Sequence, residues 1–266
     1  MTVPPESPLL FPDLPLFAPS PAPGPLAPET LNALARDAVR TFWQTRDQAR
    51  QRQQAGASPD QGERAGVTAG KNMDGFTALV SALVHAHGPA GCVIPTQRAQ
   101  LALPGALRPT KLWDLLVLRH GRLVAAIEFK SHVGPSFGNN FNNRAEEAIG
   151  SALDLRLACR DGLLGAGAAP FVGWLMLVEE APGSTRPLRE ASPHFALAPD
   201  IAGSSYLERY EHLCRRLMDE GLYTATALLA SSRETGPDGA FRALSPATSL
   251  EAFASALAAH LEAQKT

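Results

Sequence analysis

The chain has 266 residues, enough for one large domain or one domain with appendages, and its 45% apolar content is ordinary for a globular protein. A formal net charge of −2 excludes indiscriminate coating of DNA, though not a local basic cleft. Cys92, Cys159 and Cys214 are widely spaced and form no Cys-x-x-Cys pair, which points to a reducing cytoplasm and away from a zinc site, and no apolar run approaches a membrane span.

Residues 1–28 hold ten of the 23 prolines. No basic segment precedes an apolar one there, so the stretch reads as a disordered or polyproline-like leader and not as a secretory signal. The folded domain is then expected over residues 29–266. Thr30 is placed to cap a helix running to about Gln54, with Leu31, Leu34, Ala35, Ala38, Val39 and Phe42 as its apolar stripe. Arg36, Arg40, Arg46, Arg50 and Arg52 lie largely off that stripe, as a solvated face or as phosphate contacts. Residues 55–72 are a Gly-rich polar loop with Arg64 and Lys71 as possible DNA contacts. A second helix is predicted over residues 73–87, burying Phe76, Leu79, Val80, Leu83 and Val84. His85 and His87 end it on different faces, so they do not make a metal pair.

The stretch from Lys111 to Ser131, K-L-W-D-L-L-V-L-R-H-G-R-L-V-A-A-I-E-F-K-S, reads as two apolar strands joined by a tight turn at Arg119, His120, Gly121 and Arg122. Asp114 falls on the first strand, Glu128 and Lys130 on the second. Side chains two apart on a strand share a face, so Glu128 and Lys130 point one way and Ile127 and Phe129 the other. Strand pairing can bring Asp114 alongside Glu128. Between Asp74 and Glu146 these two are the only acids, where overall composition would put about seven. The same span carries Arg98, Arg108, Lys111, Arg119, Arg122, Lys130 and Arg144, a formal charge of +5. The chain has four lysines against twenty arginines, so a lysine inside a strand marks a position that calls for a compact charge with a tunable pKa. Two carboxylates and an ammonium on one sheet face suit a hard divalent cation and a phosphodiester. A buried structural ion pair with a spare acid is the plain alternative.

The run G-P-S-F-G-N-N-F-N-N-R, residues 134–144, leaves the second strand. Asn143 with Glu146 three residues on has the pattern of an N-cap and an acid at the third helical position, predicting a helix from there to about Arg160. Capping accounts for Asn143 but not for Asn139, Asn140 and Asn142. Asparagine amides can pair with adenine, and Arg144 with guanine, in the major groove. Satisfying a tight loop is the other use of such residues. Glu146 and Glu147 are further candidates for a metal site or for salt bridges. F-V-G-W-L-M-L-V, residues 171–178, is a continuous apolar run and reads as a central strand covered on both faces. A Pro/Gly-rich connection over 179–203 leads to a helix from about Ser205 to Glu220, with Tyr206, Tyr210, Leu213 and Leu217 on one stripe. A strand over 222–231 and an alanine-rich helix over 248–264, for packing or dimerisation, close the chain. This order predicts an α/β fold, a mixed central β-sheet flanked by helices.

An aspartate, then about a dozen residues, then Glu-x-Lys on the next strand resembles the PD-(D/E)xK nuclease superfamily. V-T-A-G-K-N-M-D-G-F (67–76), R-P-T-K-L-W-D-L-L-V (108–117), I-E-F-K-S-H-V-G-P-S-F-G-N-N-F-N-N-R (127–144) and P-F-V-G-W-L-M-L (170–177) are similar to the XhoI-type Type II restriction endonucleases, over roughly residues 30–235. Trp113 stands where the superfamily name has proline, a position loosely kept in such nucleases. The resemblance implies a restriction-endonuclease-like core and Mg²⁺-dependent hydrolysis of both strands of duplex DNA. It implies Mg²⁺ on Asp114, Glu128 and the Phe129 carbonyl, with Lys130 orienting water or stabilising developing charge. The implied target is the palindrome CTCGAG, cut after the first C to leave 5′ overhangs. A palindrome calls for a two-fold reader, hence a homodimer, and a cognate DNA methyltransferase is expected in the same system. Candidate DNA contacts are Lys71, Arg108, Lys111, Asn139, Asn140, Asn142, Asn143 and Arg144. A repair or recombination nuclease on the same core, and a catalytically inactive DNA-binding module, are the alternatives.

Overall fold

The structure, a computed structural model, describes residues 26–55, 72–165, 167 and 169–265, without the side chains of residues 52–55. Residues 1–25 of the leader, Arg64, Lys71 and the Arg52 side chain lie outside the described residues. Helix α1 spans Pro28–Ala55 and buries Leu31, Ala35, Ala38, Val39, Phe42 and Trp43; Leu34 of the stripe read from the sequence is only partly buried, and Trp43 joins it. It begins at Pro28, and Leu26 already packs against the core, so the folded part starts ahead of residue 29. Helix α2, Asp74–His87, buries Phe76, Leu79, Val80, Leu83 and Val84 as its spacing requires.

Six strands form the main sheet: β1 (Cys92–Val93), β4 (Leu115–Arg119), β5 (Arg122–His132), β6 (Phe171–Glu179), β7 (Ala225–Ser231) and β8 (Arg242–Ala243), in the order β1-β4-β5-β6-β7-β8. The β4–β5 hairpin is antiparallel, β5, β6 and β7 run parallel, and the edge strands β1 and β8 are antiparallel to their neighbours. Its turn is closed by His120 and Gly121 at φ 49° and 74°, the two left-handed residues that a right-twisted hairpin of this kind requires. Two helices make the parallel crossovers: α3 (Phe137–Arg160) between β5 and β6, and α4 (Tyr206–Asp219) between β6 and β7. Helix α4 carries a capping box. The Ser205 hydroxyl accepts from Glu208 N–H, and the Glu208 carboxylate accepts from Ser205 N–H. Helix α5, Leu250–Ala263, is the last helix among the described residues.

The sheet separates two cores. On one face Ile127, Phe129, Leu175, Leu177 and Leu229 pack with α1, α2 and α5. On the other, Trp174, Met176, Val178 and Leu228 pack with α3 and α4. Alternation along β5 sends Ile127 and Phe129 to the first face, and hence Glu128 and Lys130 to the second, as the sequence predicted. Among the described residues no helix is long and apolar enough to cross a membrane.

Besides α1, which takes Thr30 inside the helix and not at its cap, two elements depart from the sequence reading. The first predicted strand of the hairpin is broken. Lys111 lies on β3 (Thr110–Leu112), which pairs with β2 (Ala102–Pro104) in a separate two-stranded sheet, and Asp114 sits in the bend ahead of β4. The break is made by Trp113, whose N–H donates to Leu101 O at 2.9 Å and whose indole is buried with Leu116, Ala126 and Leu155. The second departure is the start of α3, at Phe137 and not at Asn143. Phe137 is buried against His132 and stacks on Tyr206, which anchors an earlier first turn and leaves Asn143 inside the helix.

Candidate active site

The hairpin register pairs Leu115 with Ile127, so Asp114, one residue earlier, comes level with Glu128. The Asp114 carboxylate is held in place by Phe129 N–H, which donates to its Oδ2 at 2.8 Å. Lys130 Nζ lies 3.7 Å from Asp114 Oδ2 and 3.4 Å from Glu128 Oε1. The two acids differ in exposure. The Asp114 side chain is 43% exposed, whereas that of Glu128 is 2% exposed, so the site opens to solvent on the Asp114 side. The Phe129 side chain is buried in the opposite core, and only its backbone borders the cluster.

A carboxylate as deeply buried as Glu128 needs compensating partners. Lys111 reaches over from β3 and places Nζ 2.5 Å from Oε1 and 4.8 Å from the centre of the Trp113 ring. On the other oxygen, the Tyr223 hydroxyl stands 3.4 Å from Oε2 and 3.1 Å from Ala148 O. Burial first, and Glu128 second, push the Tyr223 phenol well above its ordinary range, so it stays a proton donor. For Lys130, burial by itself would lower the pKa, but Glu128 and Asp114 outweigh it and hold the ammonium above its ordinary range. The cluster is thus two carboxylates, two ammonium groups and a phenol.

The β2–β3 hairpin that carries Lys111 is tied to α3. Asp154, buried on α3, accepts from Ala106 N–H at 2.8 Å, Leu107 N–H at 2.7 Å and Arg108 Nε at 2.7 Å. Arg108, a candidate DNA contact in the sequence, therefore has its guanidinium engaged by a buried acid. The start of α3 is tied to β5 in turn. His132 Nε2 lies 3.1 Å from Ser136 O, and a carbonyl only accepts, so that nitrogen carries the proton. Nδ1 then accepts from the Tyr210 hydroxyl at 2.6 Å, in keeping with burial holding the His132 pKa below its usual value. Gly134 N–H donates to the buried Glu179, which Arg233 also grips at 2.5 Å.

These ties set the first turns of α3 beside the cluster. Asn139, Asn140, Asn142 and Asn143 are all exposed there, on a helix and not in the loop foreseen for the first three. Arg144 pairs with Glu147, whose charge also acts on Lys130, and Glu146 is exposed. Neither acid joins Asp114 and Glu128: among the described residues no three His, Cys, Asp or Glu side chains converge as a metal site. The donor set still suits a hard divalent ion, because two carboxylates and a backbone carbonyl supply hard oxygen and such ions commonly keep water in their remaining positions. Sequence reasoning missed Tyr223 and Asp154 and placed Lys111 among the candidate DNA contacts, not beside Glu128. The scarcity of lysine was the available signal for Lys111. Nothing in the local pattern marked the other two.

Fold and site together define a mixed α/β protein in which one face of the sheet gathers two carboxylates and two lysines, beside a helix whose first turns are rich in asparagine. Residues 51–243 match the family described as Restriction endonuclease XhoI. The chain belongs to the XhoI restriction endonuclease family. It is 53% identical over 189 residues to the Type II restriction enzyme XhoI of Xanthomonas vasicola, covering 71% of this chain and 75% of the relative. It is 59% identical over 161 residues to the Type II restriction enzyme AbrI of Azospirillum brasilense, covering 60% and 72%. Against the Type II restriction enzyme BstVI of Geobacillus stearothermophilus it is 42% identical over 199 residues, covering 73% and 88%. No solved structure gives a significant match.

Proposed function

We propose that this chain is a Type II restriction endonuclease built on a PD-(D/E)xK core, hydrolysing both strands of duplex DNA. The observation that carries the reading is the meeting of Asp114 and Glu128 around Lys130 Nζ, at 3.7 Å and 3.4 Å, in a stretch of chain otherwise free of acids. Asp114, Glu128 and the Phe129 carbonyl would hold Mg²⁺, which supplies Lewis-acid charge at the scissile phosphate and acidifies water. Lys130 stays protonated and donates hydrogen bonds, orienting the attacking water or stabilising the charge that develops on phosphate oxygen. Tyr223 holds Glu128 in place from the opposite side. Asn139, Asn140, Asn142, Asn143 and Arg144 present amides and a guanidinium from one helix end, the groups that read base edges in a major groove. Lys71 remains a candidate backbone contact.

The relatives' names support a restriction enzyme, and from the family resemblance the target is CTCGAG, cut after the first C. A palindromic target is read by a homodimer acting in the cytoplasm, in a system that also holds a cognate methyltransferase. The test is digestion of one plasmid of known sequence with Mg²⁺, followed by mapping of the cut ends. Discrete fragments with four-base 5′ overhangs at CTCGAG are expected. Nicking governed by DNA structure, or binding without cutting, would reject the reading.

A further inference from the structure

Two of the chain's four lysines stand in the candidate site, and the proposed reaction employs only Lys130. Lys111 is the closer of the two to Glu128. Its Nζ lies 2.5 Å from Oε1, against 3.4 Å for Lys130, and its side chain is 13% exposed. It is also enclosed: the Trp113 ring lies beneath the ammonium and Leu112 O stands 3.4 Å away. This oxygen is one of those that the proposed function assigns to a divalent ion. An oxygen in a short ion pair with an ammonium cannot also bind a cation at full strength, because both positive charges would share one buried site.

We propose that Lys111 is a counter-ion exchanged between Glu128 and a phosphodiester of the duplex, so that metal loading and DNA binding assist each other. The inference rests on the metal-site reading above. Glu128 can offer Oε1 to a cation only once Lys111 has withdrawn. Withdrawal leaves an ammonium without its carboxylate in a span of formal charge +5, where a phosphodiester is the anion suited to receive it. Geometry favours Lys111 over Lys130 for this exchange. Lys130 is on β5 itself and contacts both acids, whereas Lys111 belongs to a separate two-stranded sheet and pairs, among the described acids, with Glu128 alone. Linkage makes the effect reciprocal: whatever DNA does to metal affinity, the metal does to DNA affinity.

The test titrates Mn²⁺ into the full-length protein without DNA, reading the free-ion electron paramagnetic resonance signal. Lys111→Met is expected to bind Mn²⁺ about tenfold tighter than the unmodified protein. Lys111→Gln, which guards against a misfolded methionine variant, should shift the same way, and Lys111→Arg, which keeps the charge, should not. A second arm uses Lys130→Ala, to stop turnover, with a duplex containing CTCGAG. The duplex should tighten Mn²⁺ binding in Lys130→Ala and lose that effect in Lys130→Ala with Lys111→Met. If neither neutral variant binds Mn²⁺ tighter while Glu128→Gln binds it weakly, the exchange is wrong and the metal site stands. If Glu128→Gln binds Mn²⁺ like the unmodified protein, the metal assignment fails and this inference with it. Equal tightening by DNA with and without Lys111 would also overturn the exchange.

Discussion

At the residue scale the two acids call for different experiments because their surroundings differ. Asp114 is half-exposed, so Asp114→Ala should abolish cleavage while leaving the thermal midpoint and DNA binding near those of the unmodified protein. Glu128 is buried between two ammonium groups, and removing one side of a buried pair costs about 3–5 kcal/mol. Glu128→Ala is therefore expected to lose cleavage and stability together, as read by urea unfolding. Full cleavage by either variant would end the metal-site assignment. Lys130→Arg should slow single turnover as much as Lys130→Ala, by about 10²–10⁴-fold, with DNA binding kept. The planar guanidinium forks its donors and cannot set one compact ammonium between Asp114 and Glu128. A Lys130→Arg rate within a few-fold of the unmodified enzyme would show that charge alone suffices.

At the element scale the latch between the β2–β3 hairpin and α3 decides where Lys111 stands. Burial pushes the Asp154 carboxyl up, but Arg108 and the Ala106 and Leu107 N–H groups outweigh it and hold the pKa below the usual range. A depressed pKa means that the latch is at full strength above the unfolded value of about 3.9 and is lost as pH falls through the folded value. Asp154→Asn keeps the shape and loses the charge, so it should lower stability at pH 7 by about 1–3 kcal/mol. The gap between the two proteins should close on acidification below about pH 4. Urea unfolding at pH 7 and pH 3 measures both. A gap that stays constant with pH would show that the Asp154 charge is not what holds the hairpin.

At the scale of the whole molecule, the boundary of the folded part is open to direct test. Leu26 packs on the core and its N–H donates to His87 Nε2 at 3.3 Å, and α1 opens at Pro28. Deleting residues 1–25 should leave both cleavage and the thermal midpoint unchanged. Deleting residues 1–28 should cost about 1 kcal/mol through the lost burial of Leu26, a drop of about 2–4 °C by calorimetry for a domain of this size. A large loss of melting temperature from the shorter deletion would show that the leader is part of the fold.

The residue pattern alone determined the pieces whose cause is local. The stripe of α1, the hairpin turn at His120 and Gly121, the shared face of Glu128 and Lys130, and the extent of α4 follow from periodicity and φ preference within a few residues. Burial of large side chains decided the rest. Trp113 breaks the predicted strand because its indole fills a gap under α3, and this diverts Lys111 onto another sheet. Phe137 starts α3 early because its ring closes on His132 and Tyr206. Two partners of Glu128 come from elsewhere in the chain, Lys111 from 17 residues away and Tyr223 from 95. Local pattern carries no record of such meetings, because they exist only once the sheet has been closed and both of its faces covered.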